Sequence, residues 1–181
     1  MSTRRALLQA GAASVASLVV GFRVEAATPP ATPATSPSAP FQPNAWLRLD
    51  ADGAVHLVLT KTELGQGATT GIAMVMADEL DADWARVHVE IQVPDGKRSM
   101  GTGGSTSLQA TWKPARVAAA QAREALKAAA AATWGVPTGE CRTASHAVEH
   151  APSGRRLGYG ELAGRAAGQP LPKDPPLKPA A

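Results

Sequence analysis

The chain has 181 residues, a formal net charge of +3 and one cysteine, Cys141. One cysteine excludes an internal disulfide, a cysteine-rich zinc site and an iron–sulfur cluster, so Cys141 reads as a small buried apolar residue. Only 4% of the chain is aromatic and no basic run is interleaved with aromatics, which excludes an evident nucleic-acid surface.

Residues 1–27 read as an export signal. Arg4-Arg5 precede Leu7 and Leu8, and the apolar run from Ala10 to Phe22 is too short to span a bilayer. The paired arginines resemble a twin-arginine signal, with Leu7 and Gln9 in place of the usual Phe and Lys, and predict a periplasmic protein. Residues 28–40 alternate Pro, Thr, Ser and Ala and form a linker. The folded unit is expected over 41–167, followed by an extended Pro-rich tail over 168–181.

Within the folded unit, Ala45–Leu49 and Ala54–Thr60 alternate apolar and polar residues around an Asp52-Gly53 turn, as a β-hairpin does. Ile72, Val75, Met76, Glu79 and Leu80 recur at helical spacing, with Thr69 and Thr70 placed to cap and Glu79 on a solvated face. Val87, Val89, Ile91 and Val93 recur at period two, so Arg86–Val93 is a strand that Pro94-Asp95-Gly96 ends. An Ala-rich helix is predicted from Ser107 to Trp134, with Pro114 in its first turns and Gly135 as its stop. A hairpin around Ala144-Ser145 spans Cys141–His150, and Tyr159–Ala167 forms a last short helix. The order β-β-α-β-α-β-β-α defines an α+β fold, an α/β layer sandwich of short hairpins with one long Ala-rich helix and a second amphipathic one.

Two glycine loops open the first two helices. Gly65-Gln66-Gly67 permits close backbone approach and positive φ, and the N–H groups of a helix start attract an anion. Gln66 carries a donor and an acceptor for oxo or ring atoms. Thr102-Gly103-Gly104-Ser105-Thr106-Ser107 repeats the design with hydroxyls. No Lys follows the glycines as a nucleotide-triphosphate loop requires, and no dinucleotide fingerprint is present. Each loop alone is explained equally well as a turn between strand and helix; two in one small domain point to a shared anionic, pterin-like ligand.

The other polar residues offer less. His146 and His150 sit on a hairpin, out of register for a shared metal, and His56 and His88 lie in strands. Asp78, Glu79, Asp81 and Asp83 lack the spacing of a calcium loop. No metal ligand set is predicted. Trp46, Trp84, Trp112 and Trp134 suit packing.

The ordered set Phe41–Leu49, Lys61–Gly67, Ala77–Trp84, Thr102–Ser107 and Gly154–Ala163 resembles the N-terminal part of the molybdopterin-binding large subunit of the xanthine dehydrogenase/aldehyde oxidase family, closest to its isoquinoline 1-oxidoreductase branch. The resemblance implies a molybdenum–molybdopterin cofactor, in its plain or cytosine dinucleotide form, held by Gly65, Gln66, Gly67, Thr102, Gly103, Gly104, Ser105, Thr106 and Ser107. It implies oxidation of aldehydes or N-heterocycles with water-derived oxygen. It also implies partners: the remainder of the large subunit, a 2Fe–2S subunit and a cytochrome acceptor. The family's later loop and catalytic glutamate have no counterpart in these residues, so no catalytic residue is assigned, Glu63 and Glu79 included. The sequence therefore reads as a cofactor-binding fragment or split subunit; a non-catalytic periplasmic binding or assembly domain is the alternative.

Overall fold

Alternation in the first half of the domain places Leu47 and Leu49 on one side of a strand, and Val55, Leu57 and Leu59 on the same side of the next. All five side chains are buried. The computed structural model describes residues 41–44, 46–92 and 100–179, and these fall within one compact unit. The expected signal and linker, residues 1–40, and the expected strand end at Val93 to Gly96 lie outside the described residues.

Strands β1 (Phe41–Asn44), β2 (Leu47–Leu49), β3 (Val55–Leu59) and β4 (Val87–Ile91) form one sheet in the order β1-β2-β3-β4. The predicted hairpin is β2 against β3, with Leu47 opposite Leu57 and Leu49 opposite Val55. β1 was not expected; it pairs antiparallel with β2. Helix α1 (Ala68–Leu80) connects β3 to β4, which run parallel, with His56 beside His88 and Leu59 beside Ile91. Asp81 ends α1 in the left-handed region, at φ 56°. Arg86, predicted in the strand, instead closes a short 3-10 turn over Trp84–Arg86, where Asp83 accepts the Ala85 N–H.

Helix α2 (Ser107–Trp134) matches its predicted span, and Pro114 lies inside it without ending it. Its alanines 115, 118, 119, 122, 125, 129 and 130 are buried, so α2 approaches α1 closely. A Cβ built on Gly71 of α1 would come 3.0 Å from Leu108 Cδ2 of α2. With α3 (Tyr159–Ala166) these helices cover one face of the four-stranded sheet. Trp46 and Trp134 pack against this core, whereas Trp84 and Trp112 are half-exposed.

A second sheet has the order β5-β6-β7, from β5 (Cys141–Ala144), β6 (Ala147–His150) and β7 (Arg155–Gly158). The β5–β6 hairpin was predicted, but its turn lies one residue later, at Ser145-His146, both with positive φ. β7 was missed because Arg155-Arg156-Leu157-Gly158 has no alternation; it exists through its antiparallel pairing with β6. Cys141 is buried and unpaired, as expected. The predicted α+β fold is the observed one.

The solvated face predicted for Glu79 is a correction. Its side chain is fully buried and bonds Arg116 and Arg123 of α2 at 2.7 and 2.6 Å. An acid at helical spacing with Met76 and Leu80 can turn inward here because α2 brings two guanidiniums to it, and a buried carboxylate persists only when so paired. Among its described residues the Pro-rich tail carries no helix or strand, yet it docks on the same cluster. Lys178 donates its backbone N–H to Glu79 at 2.8 Å and its ammonium to Asp81 at 2.9 Å. Arg123 donates to the Pro176 carbonyl and Gln121 to that of Pro172. Among the described residues, no helix is long and apolar enough to cross a membrane.

Candidate functional site

β3 and β4 run parallel, so their C-terminal ends lie at one end of the sheet, and the two glycine loops are tied to each other at their base. Thr62 donates its N–H and its hydroxyl to the Met100 carbonyl, at 3.2 and 3.1 Å. Lys61 Nζ donates to the Gly101 carbonyl at 3.2 Å. Beyond these contacts the loops share one pocket of about 250 Å3, lined by Leu64, Gln66, Ala68, Thr102, Ser105, Ser107 and Leu108. Gln66 and Ser105 therefore face a common space.

Of the residues expected to hold a ligand, Gln66, Thr102, Ser105 and Ser107 line this pocket, whereas Gly65, Gly67, Gly103, Gly104 and Thr106 lie in the same loops but do not line it. Gly65, Gly67 and Gly104 have φ of 93°, 73° and 67°, the left-handed region that a Cβ disfavours. Thr106 spends its hydroxyl locally, donating to the Gly103 carbonyl at 3.1 Å.

The first loop is not the open anion cradle its sequence predicts. Glu63 Oε1 accepts the N–H groups of Gly65 and Gly67 at 2.9 and 3.0 Å, and Oε2 accepts that of Thr69 at 3.0 Å. The N-cap position is Gly67, so Thr69 and Thr70 lie inside α1 and cap nothing. The Thr69 N–H, then those of Gly67 and Gly65, hold the Glu63 carboxyl down at about 2. Such charge-assisted bonds stabilise the ionised form. Glu63 is the residue that sequence reasoning undervalued; an acid just before a glycine turn that opens a helix is itself a capping signal.

Gln66 is held rather than free. Its Oε1 accepts the Leu64 N–H at 2.6 Å and its Nε2 donates to the Thr62 carbonyl at 2.8 Å. One lone pair and one N–H remain for a ligand, since a carboxamide has two of each.

The second loop keeps its donors. Gly103–Ser105 forms a 3-10 turn closed by the Ser105 N–H on the Thr102 carbonyl, and Thr106 precedes α2 without any side-chain cap. Ser107, at 5% exposure, has no partner for its hydroxyl and lines the pocket. An uncapped helix of 28 residues places partial positive charge and unsatisfied N–H groups beside that hydroxyl. A buried hydroxyl without a partner is a standing cost that a ligand oxygen removes. The donor set fits an oxyanion or a pterin edge at the second loop, and a neutral ring or oxo edge at Gln66.

A second pocket, of about 340 Å3, is lined by Asp52, Arg86, His146, Arg156 and Glu161 among others. His146 accepts the Asp83 N–H at Nδ1 (3.2 Å) and donates from Nε2 to the Gly53 carbonyl (2.9 Å), which fixes its tautomer. Burial pushes its pKa down, so it is a neutral clamp between turns. His150 bonds Ser153 and Glu140, and His56 bonds Asp50 and Glu90. Among the described residues no group of His, Cys, Asp and Glu is arranged to hold a metal.

These features describe an α+β domain in which two tied loops line one pocket. The chain matches the molybdopterin cofactor-binding domain family over residues 9–178, and it belongs to that family. It is 38% identical to the isoquinoline 1-oxidoreductase subunit beta of Brevundimonas diminuta, over 90% of this chain and 22% of that one. It is 33% identical to a membrane-bound aldehyde dehydrogenase [pyrroloquinoline-quinone] of Gluconacetobacter polyoxogenes, over 67% of this chain and 16% of that one. Its fold is similar to that of quinoline 2-oxidoreductase from Pseudomonas putida 86, with a TM-score of 0.55 at 22% identity, covering 65% of this chain and 15% of that one. A Cu,Mo-CO dehydrogenase aligns equally well, with a TM-score of 0.55 at 23% identity over the same shares of the two chains. The resemblance drawn from the sequence holds. The chain spans about a fifth or less of the length of the curated relatives it matches.

Proposed function

We propose that this chain forms one wall of the molybdenum–molybdopterin site of an exported molybdenum hydroxylase that oxidises aldehydes or N-heterocycles. The observation that carries this reading is the partnerless Ser107 hydroxyl at the uncapped start of α2, facing Gln66 across one pocket. The α2 loop binds the phosphate and pterin oxygens, and the hydroxyls of Thr102 and Ser105 add further donors. Gln66 bonds the less charged side of the cofactor with its remaining lone pair and N–H. When bound, the cofactor supplies the redox centre at which water-derived oxygen enters the product.

The residues described here bind and orient; they supply no proton acceptor for the chemistry. Glu63 is occupied by three backbone N–H groups and Glu79 by two arginines. The catalytic base then comes from polypeptide of the kind the longer relatives carry. Electrons leave through a 2Fe–2S subunit to a cytochrome. The paired Arg4-Arg5 support export by the twin-arginine route to the periplasm, and the hydroxyl-rich second loop suits the extra phosphate of a cytosine dinucleotide form.

The test is to co-express the full chain with the part of the isoquinoline oxidoreductase subunit that it does not span, then measure molybdenum and pterin in the purified complex. Near-stoichiometric molybdenum with pterin is expected, and Ser107→Leu lowers both several-fold. A complex without either, or one carrying a quinone instead, overturns the reading.

A further inference from the structure

We propose that Glu63 is a positioning residue that sets the polarity of the pocket: its carboxylate fills the anion seat at the start of α1 and leaves the seat at α2 as the only one for a ligand's charged end. The inference rests on the cofactor reading above and deepens it.

Two helices, α1 and α2, begin at one pocket, and Gly71 of α1 lies against Leu108 of α2. Each helix start would by itself attract an oxyanion. They are not equivalent. At α1, both Glu63 oxygens are engaged by the N–H groups of Gly65, Gly67 and Thr69, within 3.0 Å. These are the groups an incoming phosphate would need, and the charge of Glu63 repels a second anion there. At α2, no side chain caps the helix, and the partnerless Ser107 Oγ belongs to a residue that lines the pocket, whereas Thr69 of α1, whose Oγ1 also has no partner, does not line it. The neighbouring cation, Lys61, is held on the Gly101 carbonyl, on the α2 side of the junction.

Gln66 completes the asymmetry. Leu64 and Thr62 hold its carboxamide, so a neutral donor and acceptor face the pocket from the α1 side. A ligand with one anionic end and one uncharged heterocyclic end is therefore received in one orientation. Glu63 also builds the loop in advance. The turn that presents Gln66 is closed on the chain's own carboxylate, so no ligand has to order it.

The test uses the full chain, labelled with nitrogen-15, and inorganic phosphate as the probe. In the unsubstituted protein, phosphate is expected to shift the amide signals of Ser105 to Gln109 and to leave those of Gly65, Gly67 and Thr69 in place. In Glu63→Ala, the α1 amides are expected to respond to phosphate within a few-fold of the concentration that moves those of α2. Shifts at Gly65, Gly67 and Thr69 in the unsubstituted protein overturn the polarity while sparing the cofactor reading. No response at either helix start overturns the cofactor reading as well. If Glu63→Ala does not fold, hydrogen exchange on the unsubstituted chain without ligand decides: at least ten-fold slower exchange at Gly67 and Thr69 than at Gly103 is expected, and equal rates overturn the preset loop.

Discussion

Arg123 of α2 meets Glu79 of α1 at 2.6 Å, and the carboxylate there has no exposed surface. The same carboxylate accepts from Arg116 and from the Lys178 backbone N–H, so one acid joins two helices and the tail. Removing one member of such a buried set leaves the others charged and unsolvated, which costs about 3–5 kcal/mol. Glu79→Ala is therefore expected to lower the urea midpoint strongly and to release the tail. Limited proteolysis of the full chain with trypsin checks the second effect, with faster cleavage after Lys173.

Gly160 lies where α3 touches the β2–β3 turn. A Cβ there would stand 2.5 Å from the Ala51 carbonyl oxygen and 2.8 Å from the Gly53 nitrogen. Both are backbone atoms and cannot step aside without moving the turn. Gly160→Ala is expected to cost about 1–3 kcal/mol, in the range of overpacked sites. Thermal melting of the variant should show a midpoint several degrees lower; an unchanged midpoint would mean that α3 shifts freely.

His146 makes a pH-dependent contribution. Burial lowers its pKa below the ordinary value, so the folded protein resists the proton that the unfolded chain takes up near pH 6.5. Unfolding then binds a proton as the pH falls below about 6.5, and stability declines until the folded pKa is passed. The groups facing the ring are Asp83, Arg86 and Arg156, together with Tyr159, whose ring lies 4.6 Å away. His146→Asn, which keeps a donor and an acceptor, should flatten the melting profile between pH 6.5 and pH 5.

Glu63 acts in the same direction over a more acidic range. Its folded pKa is depressed to about 2 from an ordinary 4.5 by the N–H groups of Thr69, Gly67 and Gly65. Its stabilisation is complete above pH 4.5 and is lost as the pH falls from there toward 2. Glu63→Gln should be less stable at neutral pH and should lose less between pH 4.5 and pH 2. Parallel melting curves for the two proteins across that window would exclude this role.

Leu64 and Leu108 are exposed in the pocket wall, and other exposed apolar side chains lie outside it. Met74 on α1, Trp84 in the 3-10 turn and Val89 and Ile91 on β4 are 37–57% exposed. Parallel strands are normally covered on both faces, and β4 pairs only with β3 among the described residues. The full chain alone should self-associate at high concentration. Ile91→Lys should shift sedimentation velocity toward monomer without changing the melt.

The sequence by itself determined what is local. Alternation located β2, β3 and the β5–β6 hairpin, helical spacing located the three helices, and glycine with hydroxyl residues marked both loops. These signals lie within a few residues, where backbone preference and side-chain period act. Tertiary structure decided what each group faces. It alone paired Glu79 with Arg116 and Arg123, formed β7 against β6 and laid the tail on α2. It brought Gln66 and Ser105 to one pocket, and it spent the α1 amides on Glu63. The physical reason is that a hydrogen-bonding group is satisfied by whichever partner the fold delivers to it. That delivery depends on contacts between segments tens of residues apart, which no short-range pattern encodes.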